Sequence, residues 1–578
     1  MATSTAAVRQ SMLKQVHNTL SLGLTLLWFS LYPVRKLIAA LLRLLVIVLT
    51  PFFVAFSHTP AYPWLKEFFT ERRDLVVVFV AIPVSFVYDL YMRVRSWYVW
   101  LFLSAPALHD QRVRDIQAQV KRWNLDGRKK PMCTARPVWA SMSTRLSTFK
   151  KDCSQISINL HDILDVDTER QIVRVEPYVN MGQLTDHLTR IGWTLAVTVE
   201  MEDLTVGGLL MGIGIENNSH IYGFLHETCE AFEVVLGDGS LVRATRTENV
   251  DLYNALPWSH GTLGFLVAAE LKIIPCKPYM HVNYIPCHTV DELQSKMLEL
   301  TTKPNPPQFV EATIYSKETS VIFTGNFSDK PRGEEAKKIN RVNLWFKPWY
   351  YKHVEKFLET GPGDEYIPLR HWFHRHTRSI FWELEDLVPY GNTWWYRWFV
   401  GWLGAPKISL LKATWTPEVR QELLYKHVVQ DITIPMSLMK ESIYLFEDIF
   451  CLYPLLVYPV RIFSHEPYQG MVYNPKNPIK GTQPPQEMYF DLGAYGIPRA
   501  VKEKKPFDAP NAVRKMEAFA RSCGGFQFMY ADTFQTREEF EQMFDHTLYR
   551  QCRKKYNAEG AFPEVWEKVK PQHDVLLK

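Results

Sequence analysis

Three glycine-bearing segments carry the clearest capacity for chemistry in this chain. Met181-Gly182-Gln183-Leu184 opens a helical pattern that runs to Ile191 and stops at Gly192. The run from Leu204 to Gly223, LTVGGLLMGIGIENNSHIYG, gathers Gly207, Gly208, Gly212, Gly214 and Gly223. Trp258-Ser259-His260-Gly261-Thr262-Leu263-Gly264 leads directly into an apolar, strand-like stretch. Glycines this dense let backbone N–H groups approach a phosphate or a flat ring that any Cβ would hold away. Taken singly, each segment also suits an ordinary tight turn. No G-x-G-x-x-G stands between an early strand and its helix, and no Walker loop is present. Phosphate contacts, if made here, belong to loops of another fold.

Other reactive side chains are less directive. His371, His374 and His376 do not share one helical face, and no carboxylate follows in a ligand pattern. They read as charged or stacked contacts and not as a metal centre. The eight cysteines, Cys133, Cys153, Cys229, Cys276, Cys287, Cys451, Cys523 and Cys552, form no C-x-x-C pair. Their wide spacing reads as free thiols in a reducing compartment.

The elements that must position these groups follow from composition and pattern. A chain of 578 residues is too long for one ordinary domain. Its formal charge of +5 excludes a polyanion-coating protein, and 47% hydrophobic residues exclude a disordered one. The first hundred residues differ from the rest. Spans are predicted at 37–56, with Arg43 as its one charge, and at 75–96, each near the roughly 20 residues a membrane helix needs. From about Ala105 the pattern is a mixed α/β one. A helix is predicted over His109–Trp123 and strands over Ile172–Val175, Phe232–Leu236 and Leu263–Ile274. Asp238-Gly239 predicts a type I′ hairpin turn. Two aromatic clusters, 345–351 and 392–402, suit a flat apolar ligand, membrane contact or an aromatic core.

The order of segments resembles the FAD-binding domain of the vanillyl-alcohol-oxidase/PCMH superfamily. Its T-[VI]-G-G…G-x-G…YG…DG run and later G-T-x-G match Thr205 to Gly239 and Gly261 to Gly264. From about Ser104 to the C-terminus the chain is closely similar to the Δ24-sterol reductases (the Diminuto/seladin family). DLTVGGLLMGIGIEN, PWSHGTLGFLVAAE, YIPLRHWFHRHTRSIFWE and DLGAYGIPRA are among the stretches that carry the likeness.

The resemblance implies an α+β fold: a two-part PCMH-type FAD-binding domain with an α/β cap (substrate) domain, preceded by an N-terminal membrane anchor. The implied bounds are 1–103 for the anchor of one or two helices, 104–278 for the flavin domain and 279–500 for the cap. Residues 501–578 would return to the flavin domain. The loop Thr134–Ser141 lacks the R-G-x-G-H whose histidine links flavin in many members, so FAD is expected to be non-covalent. Its expected contacts are Arg136, Asn180, Met181, Gly182, Gln183, Gly192, Thr205, Gly207, Gly208, Gly212, Gly214, Gly261, Thr262 and Gly264. A helix N-terminus at Asn180–Gln183 would suit a phosphate. His260 is given no chemistry.

The implied reaction is NADPH-dependent saturation of the Δ24 side-chain bond of a desmosterol-like or 24-methylene sterol. Such an alkene also needs a proton, for which Glu216, Tyr489 and Asp491 are the candidates, with the HWFHRH histidines beside them. Arg370, Arg375 and Arg378 could meet NADPH phosphates or form a solvated helix face. Partners would be the sterol, NADPH and the lipid bilayer, with no nucleic acid, and a homo-oligomer or a complex with other sterol-pathway enzymes. The expected location is the endoplasmic reticulum membrane, with the catalytic body facing the cytosol. Two alternatives stand beside this: an FAD-dependent oxidase or dehydrogenase of a sugar lactone or alcohol, and a non-catalytic membrane scaffold.

Overall fold

The computed structural model describes residues 67–68, 71–145, 147–413, 415 and 417–571. The first predicted span, 37–56, lies outside the described residues. The chain divides into two compact units, 1–108 and 109–578.

In the first unit a continuous helical stretch begins at Arg73–Val76, passes a π-helical turn at Val77–Ala81 and continues as α1 (Ile82–Phe102). Pro83, which lacks an N–H, closely follows the π-helical turn, where the regular hydrogen-bond ladder is already interrupted. Residues Arg73–Val99 have a mean hydropathy of 2.1 over their most apolar window, long and apolar enough to cross a membrane. Phe79, Val80, Val87, Leu90, Val94 and Trp97 are exposed, while Val77, Ala81, Ile82 and Ser85 are buried.

The second unit begins on α2 (Ala105–Leu125), which buries Val113, Ile116, Val120 and Trp123 along one stripe. Its polar side is fixed by His109 Nδ1 with Glu176 at 2.9 Å and by Arg112 with Asp162 at 2.7 Å. Two short strands, β1 (Met132–Thr134) and β2 (Ser154–Ile156), pair in parallel. They bracket the loop that carries Arg136.

The first sheet comprises β3 (Ile163–Asp167), β4 (Ile172–Val175), β5 (Trp193–Leu195), β6 (Cys229–Val235), β7 (Leu241–Thr245) and β8 (Phe265–Pro275). Its antiparallel order is β3-β4-β8-β6-β7, with β5 also on β8. Two helices matter for the site, α3 (Met181–Arg190) and α4 (Val206–Met211). The Asp238-Gly239 turn departs from the type I′ expectation. Val235 pairs with Leu241 across a five-residue loop in which Gly239 alone has positive φ, 87°. Asp238 instead accepts from the Ser240 N–H at 2.8 Å, a local bond that favours the longer turn.

The second sheet is eight-stranded and antiparallel. Its strands are β9 (Tyr279–Cys287), β10 (Phe309–Ile314), β11 (Ser320–Ser328), β12 (Gly363–Pro368), β13 (Val428–Pro435), β14 (Leu455–Phe463), β15 (Gln486–Gly496) and β16 (Phe526–Gln527). The spatial order is β12-β9-β11-β10-β14-β15-β13-β16. Helices α5 (Val290–Thr302), α6 (Met439–Ile449) and α7 (Ala509–Cys523) pack on it. The C-terminal region divides: residues 509–527 join this second sheet. Further on, α8 (Thr547–Lys555) packs against Val250–Ala255 beside the first.

The two aromatic clusters separate by environment. Trp349, Tyr350 and Tyr351 are buried, and Tyr350 joins Tyr284, Phe323 and Trp372 in the core against β9 and β11. In the second cluster Trp394, Trp395, Trp398, Phe399 and Trp402 are exposed, and only Tyr396 is buried.

Candidate functional site

The glycine segments converge with the loop after β1. Arg136 lies over the Tyr178 ring at 5.1 Å and donates from Nη1 to Thr205 Oγ1 at 3.3 Å and from Nη2 to the Ala140 carbonyl at 2.7 Å. Lys150 Nζ ties the loop together through the Thr134 and Arg136 carbonyls, at 2.9 and 2.6 Å. An open cleft runs along it, lined by Ala135, Arg136, Pro137, Val138, Ser147, Thr148, Lys150, Lys151 and Gln155. Three cations and two hydroxyls line it, and no carboxylate does.

The turn before β8 docks on the end of α4. Trp258, His260 and Gly261 have φ of 64°, 51° and 71°, and the His260 N–H donates to the Met211 carbonyl at 2.8 Å. Left-handed backbone at Trp258 and His260 is costly for side chains with a Cβ, so the surroundings must enforce it. Thr262 does part of this work: its Oγ1 lies 2.7 Å from Tyr549 Oη, and its carbonyl accepts from Arg553 at 2.8 Å. Both partners lie on α8. Gly264 is required by close approach, because a Cβ there would lie 2.3 Å from Val234 Cγ1.

Gly207 also serves packing. Its N–H donates to the Pro177 carbonyl at 2.8 Å, and a Cβ would lie 2.8 Å from Pro177 Cβ. Val206 donates to Val179 and Leu209 to Thr205. In this first turn Gly208 is left as the residue whose N–H makes no bond among the described residues. Gly212 closes α4 through the Gly208 carbonyl, and Gly214 packs on Leu225 and accepts its N–H.

The N-terminus of α3 does not offer the phosphate site expected of it. Met181 donates to the Leu204 carbonyl, Gly182 to Glu202, Gln183 to the Asn180 side chain and Leu184 to the Asn180 carbonyl. Asn180 and Gln183 form a reciprocal capping box that completes the set. With its first four N–H groups bonded inside the protein, this helix has no open donor for an anion. Gly192 is the left-handed residue that ends α3, φ 80°, and its carbonyl accepts from Cys276.

Below the turn lies a concentration of cations that sequence reading missed. Lys568 donates from Nζ to the His260 carbonyl. Arg145 bonds the Lys568 carbonyl at 3.2 Å. Lys412 holds the carbonyls of Ser141, Ser143 and Arg145, at 3.3, 2.6 and 3.2 Å. Burial, reinforced by Lys150 and Arg145, brings Lys568 down to about 8. Burial, with Arg420 close by, brings Lys412 to about 8. Burial also brings Arg145 to about 10, partly offset by Asp532, and holds His260 well below the usual imidazole range. Asp532 is itself paired with Arg420 at 2.6 Å. Buried Arg145 Nε and His260 Nε2 have no hydrogen-bond partner among the described residues. A surplus of buried positive charge with unsatisfied donors, beside a carboxylate-free cleft, fits a bound diphosphate. The signal was hard to see because Arg145, Lys412 and Lys568 are widely separated in sequence.

A second cluster lies where the two sheets meet. Arg375, fully buried, donates to Glu216 Oε1 at 2.8 Å, to Glu311 Oε2 and to Tyr458 Oη at 3.2 Å, with its guanidinium over Trp372 at 4.6 Å. Glu311 also meets His376 Nε2 at 2.9 Å. Burial raises the Glu311 pKa, but Arg375 and His376 outweigh it and hold the group low. Burial together with neighbouring Glu216 pushes Glu200 well above the usual carboxylate range. Glu200 Oε2 and Glu216 Oε2 are both buried with no hydrogen-bond partner among the described residues. On β14, β15 and β13, Tyr458, Asp491 and Thr433 pair in one row. Burial and Asp431 raise Asp491, whose Oδ1 has no partner. Asp431 accepts from Tyr495 and Tyr530 and stands at about 6, because burial outweighs those bonds. Tyr489, also on β15, is buried, and burial places it above its usual range.

The remaining candidates separate. His374 bridges Thr185 Oγ1 and the Glu200 carbonyl, His376 meets Glu311, and His371 accepts from Asn343 N–H. Their partners differ, so the three do not converge. Arg375 is sequestered by carboxylates, and Arg378 caps the carbonyls of Val342, Trp345 and Lys347. Neither is placed to meet a nucleotide phosphate. Arg370 pairs with Glu202 at 3.1 Å.

The FAD binding domain family matches residues 112–245, which include the loop after β1 and the first two glycine segments. A Delta(24)-sterol reductase from Homo sapiens is 47% identical over 500 residues, 86% of this chain and 93% of its own length. One from Arabidopsis thaliana is 37% identical over 533 residues, 87% of this chain and 92% of its own. An L-gulonolactone oxidase from Mus musculus is 23% identical over 309 residues, 52% of this chain and 61% of its own. The chain belongs to the Delta(24)-sterol reductase family and carries a FAD-binding domain.

Proposed function

We propose that this protein is an oxidoreductase of sterol biosynthesis that saturates the Δ24 side-chain double bond of a desmosterol-like or 24-methylene sterol. The observation that carries the reading is likeness to sterol reductases across both sheets, whereas likeness to a lactone oxidase covers only 52% of the chain. FAD, bound non-covalently, would lie along the loop after β1 and the turn at 258–264, with Arg136, Lys150, Arg145 and Lys568 nearest its phosphates. When bound, FAD supplies the hydride chemistry, with NADPH as the external reductant. The second sheet would act as the cap that closes over the sterol.

The chain's own task is to hold and deliver a proton. Burial and Glu216 both disfavour the charge on Glu200 and so favour its protonated form. Arg375, bonded to Glu216, compensates the negative charge left when that proton departs. Burial and Asp431 likewise favour protonated Asp491, but no cation bonds it among the described residues. The compensated pair Glu200–Glu216 is therefore the proposed donor. Tyr489 would shape the pocket wall.

The exposed apolar helix Arg73–Val99 supports a membrane anchor at the N-terminal end. The eight free thiols fit a body in a reducing compartment, the cytosolic side of the endoplasmic reticulum. Detergent-solubilised protein should convert desmosterol or a 24-methylene sterol, with NADPH, to a product heavier by two hydrogens. Recovery of both sterols unchanged would overturn the proposal. Oxygen uptake with a sugar lactone and no NADPH would support the oxidase reading in its place.

A further inference from the structure

The least ordinary surface of the second unit is carried by the short helix Trp394–Phe399 and the turn Gly401–Leu403. Trp394, Trp395, Trp398, Phe399 and Trp402 are 66, 42, 53, 71 and 55% exposed. The neighbouring segment adds Trp345 at 40%, and its Phe346 stacks on Trp398 at 5.1 Å. The two segments are held together closely: a Cβ on Gly401 would lie 3.1 Å from the Trp345 carbonyl. Such a patch is not a residue of core packing, because its rings point away from a core that is already filled by Trp349, Tyr350 and Tyr396.

Charge identifies the occupant. Neither 341–354 nor 387–417 contains an Asp or Glu, while Arg341, Lys347 and Arg397 lie among the rings. An isologous contact between two copies would set this patch against itself, cation facing cation with no acid to pair them. An apolar protein partner would leave the guanidinium and ammonium groups without counter-charge. Indole rings mixed with cations match the headgroup layer of a bilayer, where the ring is half desolvated and its N–H finds polar partners. We propose that this surface is a membrane contact of the second unit, seated in the headgroup region of an anionic bilayer. It is a contact additional to any N-terminal anchor, and it does not depend on the sterol chemistry.

The test uses the full chain in phosphatidylcholine–phosphatidylserine vesicles. A bimane probe is placed at Trp398→Cys and, as a control on the exposed β3–β4 turn, at Glu169→Cys, with labelling of the native cysteines subtracted. Lipid bearing a nitroxide near the headgroup should quench the probe at 398 roughly twofold or more and leave the probe at 169 unchanged. Omitting phosphatidylserine should reduce the quenching at 398. Equal quenching at both positions would overturn the proposal. So would an unquenched 398 probe; a disulfide between unlabelled Trp398→Cys chains would then make the patch a contact between copies. Because all the substituted side chains are exposed, a fold intact by circular dichroism is expected in each variant. Sterol turnover is measured separately, so its loss or retention tests the proposed reaction and leaves the quenching result untouched.

Discussion

Replacing Lys568 with Met should make the flavin-free protein more stable and its cofactor binding weaker. Lys568 sits among Lys150 and Arg145 and stands at about 8, against about 10.4 for an ordinary lysine. That difference corresponds to about 3 kcal/mol at neutral pH, reduced to about 2 kcal/mol by partial solvent access. Loss of the bond to the His260 carbonyl takes back about 1 kcal/mol, leaving a net gain of about 1 kcal/mol. The pH dependence has a definite sign. The unfolded chain holds this proton more tightly, so the penalty is complete below pH 8 and fades as pH rises toward about 10.4. The Met variant should lack that rise. In the presence of FAD the order reverses, because a charge-assisted bond to phosphate contributes about 1.5–3 kcal/mol, or about 10–100-fold in Kd. Urea titration of flavin-free protein and titration of FAD fluorescence read the two effects. A Met variant that is less stable without flavin, yet binds FAD as before, would show that the cations serve packing alone.

Glu200→Gln keeps the side-chain shape beside Glu216 but has no acidic proton to deliver; sterol saturation should fall about 100-fold or more, while stopped-flow reduction of the flavin by NADPH is unchanged. Arg375→Met leaves Glu216 and Glu311 as buried carboxylates without their cation, at a cost of about 3–5 kcal/mol in urea unfolding. Adding Glu216→Gln and Glu311→Gln to that variant should restore much of the loss. Gly264→Ala forces a Cβ to 2.3 Å from Val234 Cγ1 and should cost about 1–3 kcal/mol, measurable as a lower urea midpoint.

The local chemistry of the flavin half was legible because its signals are contiguous. Dense glycines, the strand pattern of Ile172–Val175 and the helix ending at Gly192 each follow from a few adjacent residues. What a glycine is for was not legible. Gly207 admits Pro177, and the N–H groups of Asn180–Leu184 are engaged by Glu202, Leu204 and their own cap, which only tertiary pairing decides. Charge clusters were hidden for the same reason: Arg145, Lys412 and Lys568 meet only after the second sheet and the C-terminal helices have docked. One signal was available and went unused. Glu311 and Asp431 are lone acids within apolar strands, and a buried charge in such a strand needs either a partner or a proton. Glu311 has Arg375 and His376; Asp431 and Asp491 rely on tyrosines and protonation. Aromatic content was ambiguous in sequence because 345–351 and 392–402 look alike there, and only packing separates a core from a surface.

The most direct test of the central claim is an anaerobic single turnover. The purified protein should show a visible flavin band that acid precipitation releases as free FAD. NADPH should bleach that band, and one equivalent of desmosterol or of a 24-methylene sterol should restore it with one equivalent of saturated sterol formed. A band that NADPH bleaches but that oxygen alone restores, with no saturated sterol, would contradict the account.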